Sequence, residues 1–61
     1  MGYSAEEKLT EVRRELRMRE QVYKAMVEDE RMSADTARKR IEIMSEIAED
    51  YEKMAQDERL L

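Results

Sequence analysis

The sequence predicts an all-α fold, an antiparallel two-helix hairpin that dimerises into a four-helix bundle. Of its 61 residues 46% are charged, against about 25% in an average globular domain, and this mixture is typical of long helices and coiled coils. One glycine and no proline leave the chain almost free of helix breakers. A chain this short buries only about 60% of its unfolded surface, so a solitary fold would be marginal. We therefore expect one domain, residues 1–61, that needs a partner.

The first helix is predicted over about residues 4–30. Ser4 is a candidate N-cap, because its hydroxyl can accept from a free backbone amide. Glu6 and Glu7 follow in the first turn, where the helix dipole favours acids. The apolar side chains then fall within an arc of about 100°, which indicates one amphipathic helix. This stripe consists of Ala5, Leu9, Val12, Leu16, Tyr23, Met26 and Val27.

A break is predicted at about residues 31–33, between the two helical segments. Ser33 is a second N-cap candidate, with Asp35 in the turn that follows. Glu30 falls on the continuation of the first apolar stripe and interrupts it at the same place. The alternative is one unbroken helix of about 55 residues, because every residue from 28 to 37 tolerates helix.

The second helix is predicted over about residues 34–59, with an apolar arc of about 180°. Its stripe includes Ala37 and Ala55, and Ile43 and Leu61 lie at its edge. Such a width indicates contact with more than one neighbour, so two hairpins are expected to associate about a two-fold axis. The predicted core and dimer seam comprises Leu9, Val12, Leu16, Tyr23, Met26, Val27, Ile41, Met44, Ile47, Ala48, Tyr51 and Met54.

Charged residues indicate how the two helices face each other. If the chain folds back at residue 32, residue n of the first helix lies opposite about residue 64 minus n of the second. The basic stretch 13–19 then lies beside Glu46, Glu49 and Asp50, and acids 28–30 lie near bases 38–40. Exposed ion pairs contribute only about 0.2–1 kcal/mol each, so we expect them to set orientation rather than stability.

Three charged residues lie within or beside the predicted apolar arcs, namely Arg19, Glu20 and Arg40. A charge buried alone costs several kcal/mol, so such residues either meet each other or extend to the edge of the seam. We expect a contact between Glu20 and Arg40 that fixes the register of the hairpin. On the far face, Met18 beside Val22 is either an isolated exposed residue or part of a docking surface.

The first helix also contains an arginine cluster, Arg13, Arg14 and Arg17, that could face phosphate groups. The whole chain, however, carries a formal net charge of −4. Counterion release from nucleic acid requires a net basic face, and this sequence supplies acids that screen its own bases. Nucleic-acid binding is therefore an alternative rather than the main expectation.

Catalytic, cofactor and metal sites are not predicted. The sequence contains no histidine and no cysteine, which removes the commonest general base and the usual zinc ligands. Gly2 is the sole glycine, so no phosphate-binding loop is expected. No apolar run approaches the roughly 20 residues of a membrane span, and the acidic N-terminus does not match a signal peptide. We expect a soluble protein of the cytoplasm.

Three ordered motifs resemble a family of short proteins encoded by phages and prophages, whose function is unassigned. They are RxxVYxxxV at residues 19–27, RMS at 31–33 and RIEIMSEIAEDY at 40–51. The family pattern has Val-Tyr-Pro-x-Trp-Val, a glycine turn and RIxxMxxIxxDY. Here Lys24 and Met26 replace the proline and tryptophan, and Glu30 stands where glycine is usual. The resemblance implies a phage origin and the cytoplasm of a bacterial host, with no activity attached.

Together these features predict a small non-enzymatic interaction protein, a homodimeric phage accessory factor that binds a host or phage protein. One alternative is a nucleic-acid-binding regulator that uses the Arg13, Arg14 and Arg17 face. A second alternative is a structural assembly subunit, which would form higher oligomers.

Overall fold

The structure, a computed structural model, describes residues 2–60 and contains two helices, α1 (Ala5–Glu28) and α2 (Ala34–Leu60). They pack side by side as an antiparallel hairpin 47 Å long and 16 × 15 Å across, and no strand occurs among the described residues. The prediction of an all-α helical hairpin is confirmed, and the alternative of one unbroken helix is wrong. Leu61, predicted at the edge of the second stripe, lies outside the described residues.

The first helix begins with a reciprocal cap. The Glu7 backbone amide donates to Ser4 Oγ at 3.1 Å, and the Ser4 backbone amide donates to Glu7 Oε1 at 3.2 Å. This capping box satisfies two backbone donors that would otherwise have no partner in the helix. Ser4 is therefore the N-cap that the sequence predicted, and Glu7 contributes through its side chain as well as through its charge.

The first helix ends at Glu28, two residues before its predicted end, in a turn closed by backbone hydrogen bonds. The Arg31 amide donates to the Met26 carbonyl at 2.8 Å, and the Glu30 amide donates to the Val27 carbonyl at 3.1 Å. This pair of bonds is a Schellman motif, which requires a left-handed residue after the C-cap. Glu30 takes that conformation with φ 60°, although glycine is the residue that adopts it without steric cost.

The second helix begins one residue after Ser33. Ser33 Oγ accepts from the Thr36 amide at 3.1 Å and donates to Thr36 Oγ1 at 2.9 Å. Asp35 lies in the first turn of α2, where its charge opposes the positive end of the helix dipole. The prediction that the chain restarts at Ser33 is confirmed, and the connection between the helices covers residues 29–33.

The tightest packing lies at the open end of the hairpin, away from the turn. Ala5, Leu9 and Ala55 are 1–4% exposed and are the only buried side chains among residues 2–60. Two of the three are alanines, whose small side chains allow the helix backbones to approach closely. Elsewhere the predicted seam is half-buried, at Val12, Leu16, Tyr23, Met26, Val27, Ile41, Met44, Ala48 and Tyr51.

Two contacts establish the register. The Ala5 amide donates to the Glu58 carboxylate, and Arg13 forms an ion pair with Glu52 at 3.2 Å. Each contact agrees within one residue with the predicted rule that residue n faces about residue 64 minus n. This register therefore shows which residue of α1 lies at the same position along the hairpin axis as a given residue of α2.

Candidate protein-interaction surface

Seven large apolar side chains are exposed among residues 2–60: Tyr3 and Leu60 lie at the open end, and helical periodicity puts the other five on one side of the hairpin. We call these five the exposed apolar strip. Their exposed fractions run from 36% at Ile47 to 54% at Met18, which is far above those of the buried residues at the open end. The strip consists of Met18 and Val22 on α1 and of Ile43, Ile47 and Met54 on α2. Ile47 and Met54, which belong to the predicted core and dimer seam, are 36% and 49% exposed in the single hairpin.

The grooves between the helices distinguish the two sides of the hairpin. On the strip side, Arg19 of α1 lines a shallow groove with Arg40, Ile43 and Ile47 of α2. The groove on the opposite side is lined by charged and apolar side chains together. The charged ones are Glu20, Lys24 and Glu28 on α1 and Arg38 and Glu42 on α2, and the apolar ones are Tyr23, Val27, Ala34, Ala37 and Ile41. The two grooves differ in that the opposite one carries five charged side chains, whereas the strip-side groove carries two arginines.

The accessible surface of the whole molecule is larger than that of a compact protein of the same mass. The hairpin exposes 5095 Å². A compact monomer of its mass, 7.4 kDa, exposes about 4,200 Å² by the usual scaling of surface with mass. The excess is about 900 Å², close to the roughly 800 Å² that each partner buries in a standard protein interface. The elongated shape of the hairpin, 47 Å by 16 × 15 Å, exposes this additional surface, polar and apolar together.

The predicted contact between Glu20 and Arg40 is not formed. Glu20 borders the charged groove, whereas Arg40 borders the strip-side groove, so the two side chains lie on opposite sides of the hairpin. Arg19 Nε instead donates to Glu15 Oε1 at 2.8 Å, four residues back on its own helix. This hydrogen bond raises the pKa of the Arg19 guanidinium above its ordinary value. A partner one turn away is reached with little loss of conformational freedom.

Ion pairing is mostly local rather than across the fold. Among residues 2–60 the sole ion pair between the helices joins Arg13 to Glu52. The predicted matches to Glu46, Glu49 and Asp50 are absent from this part of the chain, and so are pairs between acids 28–30 and bases 38–40. The remaining pairs lie within one helix or within the turn: Arg14–Glu11, Arg19–Glu15, Arg31–Asp29 and Arg38–Asp35.

The arginine cluster of α1 is largely neutralised by neighbouring acids. Arg13 pairs with Glu52 at 3.2 Å, and Arg14 pairs with Glu11 at 3.5 Å. Arg17 lines a shallow surface depression together with Glu20. A phosphate approaching this face would have to compete with carboxylates that are already in place.

Other kinds of site have no support in the described chain. Over residues 2–60, acidic side chains do not gather in threes closely enough to hold a metal ion. Neither α1 nor α2 contains an apolar stretch that could cross a bilayer. Comparison with known protein families, curated proteins and solved structures gave no match for this chain. The resemblance to phage proteins thus stays a prediction from sequence motifs.

Sequence reasoning missed several contacts that organise this surface. The Glu58 carboxylate, which accepts from Ala5, gives no local signal, because the two residues meet only when the hairpin closes. The Glu15–Arg19 pair has the spacing of four that favours helical ion pairs, so that spacing could have identified it. Met18 was predicted on the far face of α1, and it is 54% exposed, beside Val22 at 53%.

Proposed function

We propose that this chain is a small non-enzymatic protein-binding module whose working form is a homodimer of two hairpins in a four-helix bundle. The observation that carries the proposal is the exposed apolar strip, which lies on one side of a hairpin whose residues 2–60 include only three buried side chains. A second copy is the partner that supplies a matching apolar surface at equal concentration. Burial of the strip would turn a half-covered seam into the interior of a bundle.

Surface energetics favour this arrangement over a working monomer. Fully burying an Ile or Met side chain contributes about 1.5–3 kcal/mol, and each strip residue still has a third or more of its surface to bury. Two copies contribute ten such side chains to one interface. The charged side chains that border the opposite groove stay in solvent and keep the assembly soluble.

Sedimentation equilibrium of the full chain at micromolar concentration tests the homodimer. We expect about twice the chain mass of 7.4 kDa for the wild type. Ile47→Glu, in the middle of the strip, should give a helical monomer. Leu60→Glu is the matched control, because it makes the same change at an exposed residue outside the strip, and it should dimerise like the wild type. A wild-type monomer that is fully helical would overturn the proposal.

The same resemblance that motivates a phage origin leads us to propose a role as a phage accessory factor in the cytoplasm of a bacterial host. In this role the dimer would bind a host or phage protein. A structural assembly subunit is the competing function, and the sedimentation experiment separates the two. Association that stops at the dimer supports the accessory factor, whereas growth to higher oligomers supports the assembly subunit.

A further inference from the structure

The strip side of α2 has a regular spacing that extends beyond its apolar residues. Its side chains recur in alternating steps of four and three, which is the spacing of a coiled-coil seam. At about 100° per residue they fall within an arc of about 80°. The positions are Thr36, Arg40, Ile43, Ile47, Asp50 and Met54. This second seam is separate from the one that packs on α1.

The central part of the second seam, residues 40–50, is its own complement when its direction is reversed, and the outer positions then pair Thr36 with Met54. Ile43 and Ile47 lie two residues on either side of Ser45, so reversal about Ser45 exchanges them. Arg40 and Asp50 lie five residues on either side of the same point and carry opposite charges. Two antiparallel copies centred at Ser45 would therefore match apolar with apolar and base with acid.

The contribution of α1 to the strip is centred at the same height. Met18 and Val22 lie two residues on either side of Glu20. By the observed register, Ser45 faces about residue 19 of α1, one residue from that centre. A single two-fold axis perpendicular to the helices can therefore pass close to both centres.

We propose that the second copy docks antiparallel on this face, with α2 of one hairpin packed on α2 of the other about an axis that crosses the strip side at the height of residues 20 and 45. Ile43 then packs against the partner's Ile47, and Arg40 lies opposite the partner's Asp50. This arrangement rests on the homodimer proposed above and specifies its geometry. The two-fold symmetry forms each contact twice.

The unpaired charges on this face favour the antiparallel arrangement. Arg40 and Asp50 are both exposed, and within the described part of the chain neither has an ion-pair partner. In the parallel alternative, the two hairpins point in the same direction. Each α2 then packs on α1 of the partner, and residues at the same position along the hairpin axis meet. Arg40 would then lie near residue 24 of that helix, where the strip side offers Val22 and Met26 and no acid. Only the antiparallel dimer gives Arg40 an acid at matching height.

A mixing experiment with two charge-reversed variants tests the geometry. Arg40→Glu and Asp50→Arg should each raise the dimer Kd about tenfold or more, because each creates two like-charge contacts per dimer. When the variants are mixed, the heterodimer regains both opposite-charge contacts. Native mass spectrometry distinguishes the heterodimer from the two homodimers by mass, and sedimentation of the mixture should return the wild-type Kd.

Arg38→Glu is the matched control, since it reverses a nearby charge that borders the opposite groove. It should dimerise like the wild type and should not rescue Asp50→Arg on mixing. A wild-type dimer whose single variants associate normally, or whose mixture forms no preferred heterodimer, would overturn the antiparallel geometry and leave the homodimer standing. A wild type that is monomeric at all concentrations would remove the homodimer and this geometry together.

Discussion

The backbone amide of Ala5 donates to both carboxylate oxygens of Glu58, at 3.2 and 3.1 Å, and so joins the first turn of α1 to the last turn of α2. The carboxylate lies at the positive end of the α1 dipole, where a negative charge is favoured. Ala5 itself is buried, so its amide has little access to water. The contact therefore closes the open end of the hairpin as well as capping a helix.

Removing this carboxylate should loosen the open end. We expect Glu58→Gln to lower the free energy of unfolding by about 0.5–1 kcal/mol, because it removes a charge-assisted hydrogen bond to a helix terminus. Urea denaturation at fixed protein concentration measures the change. Asp57→Asn is the control, because it removes the neighbouring negative charge at an exposed position and should have a smaller effect. Equal losses for the two variants would contradict a specific role for Glu58.

The turn offers a stabilising substitution. Glu30→Gly should raise the free energy of unfolding by about 0.5–1 kcal/mol, because Glu30 adopts φ 60° and only glycine does so without a steric penalty. The gain is limited because glycine also increases the entropy of the unfolded chain. Thermal unfolding followed by circular dichroism measures the change.

Gln21→Gly in the middle of α1 is the control for that prediction and should destabilise the protein by about 1 kcal/mol. If Glu30→Gly proved as destabilising as the control, the left-handed conformation of residue 30 would be in error.

The N-cap of α2 should contribute to the stability of the hairpin. Ser33→Ala should lower the free energy of unfolding by about 1 kcal/mol, because the Thr36 amide loses its acceptor. Ser45→Ala makes the same chemical change inside α2, where alanine is the better helix former, so it should be neutral or slightly stabilising. Urea denaturation of both variants compares the two positions, and equal behaviour would argue against a cap at Ser33.

Local signals in the sequence predicted most of the fold. The spacing of apolar residues and the two serine caps placed both helices, and the fold-back rule placed Arg13 within one residue of its partner Glu52. The end of α1 was less predictable, because its Schellman turn uses Glu30 where a glycine would have signalled it. Backbone hydrogen bonds determine where α1 ends, and the residue types alone do not predict that position.

The candidate surface was less predictable, because it depends on which side of the hairpin each helical position faces. Helical periodicity placed Glu20 and Arg40 near the apolar arcs, but only the packed pair of helices shows that they lie on opposite sides. The same ambiguity hid the grouping of Ile43 and Ile47 with Arg19 along one groove. Helical periodicity gives the direction of each side chain around the axis of its own helix. Only the packing of the two helices relates the directions on one helix to those on the other.

The neutralised arginines lead to a prediction about nucleic acid. We expect no shift of duplex DNA by the protein in a gel at about 50 mM salt, where phosphate contacts are strongest. Arg13 and Arg14 already have acidic partners, and the chain carries a net charge of −4. Glu52→Gln removes the acidic partner of Arg13 and is tested in the same gel. A salt-dependent shift with the wild type would favour a nucleic-acid-binding regulator.

The most direct test of the account is the distance between the turns of two associated copies. The natural chain has no cysteine, so Arg31→Cys places a single spin label at the turn of each hairpin. An antiparallel dimer centred near residues 20 and 45 sets the two turns about 35 Å apart, from the 1.5 Å helical rise per residue. Pulsed electron paramagnetic resonance should report that distance. A distance under about 20 Å, with both turns at the same end, would contradict the account, and so would the absence of any dipolar coupling at concentrations well above the dimer Kd.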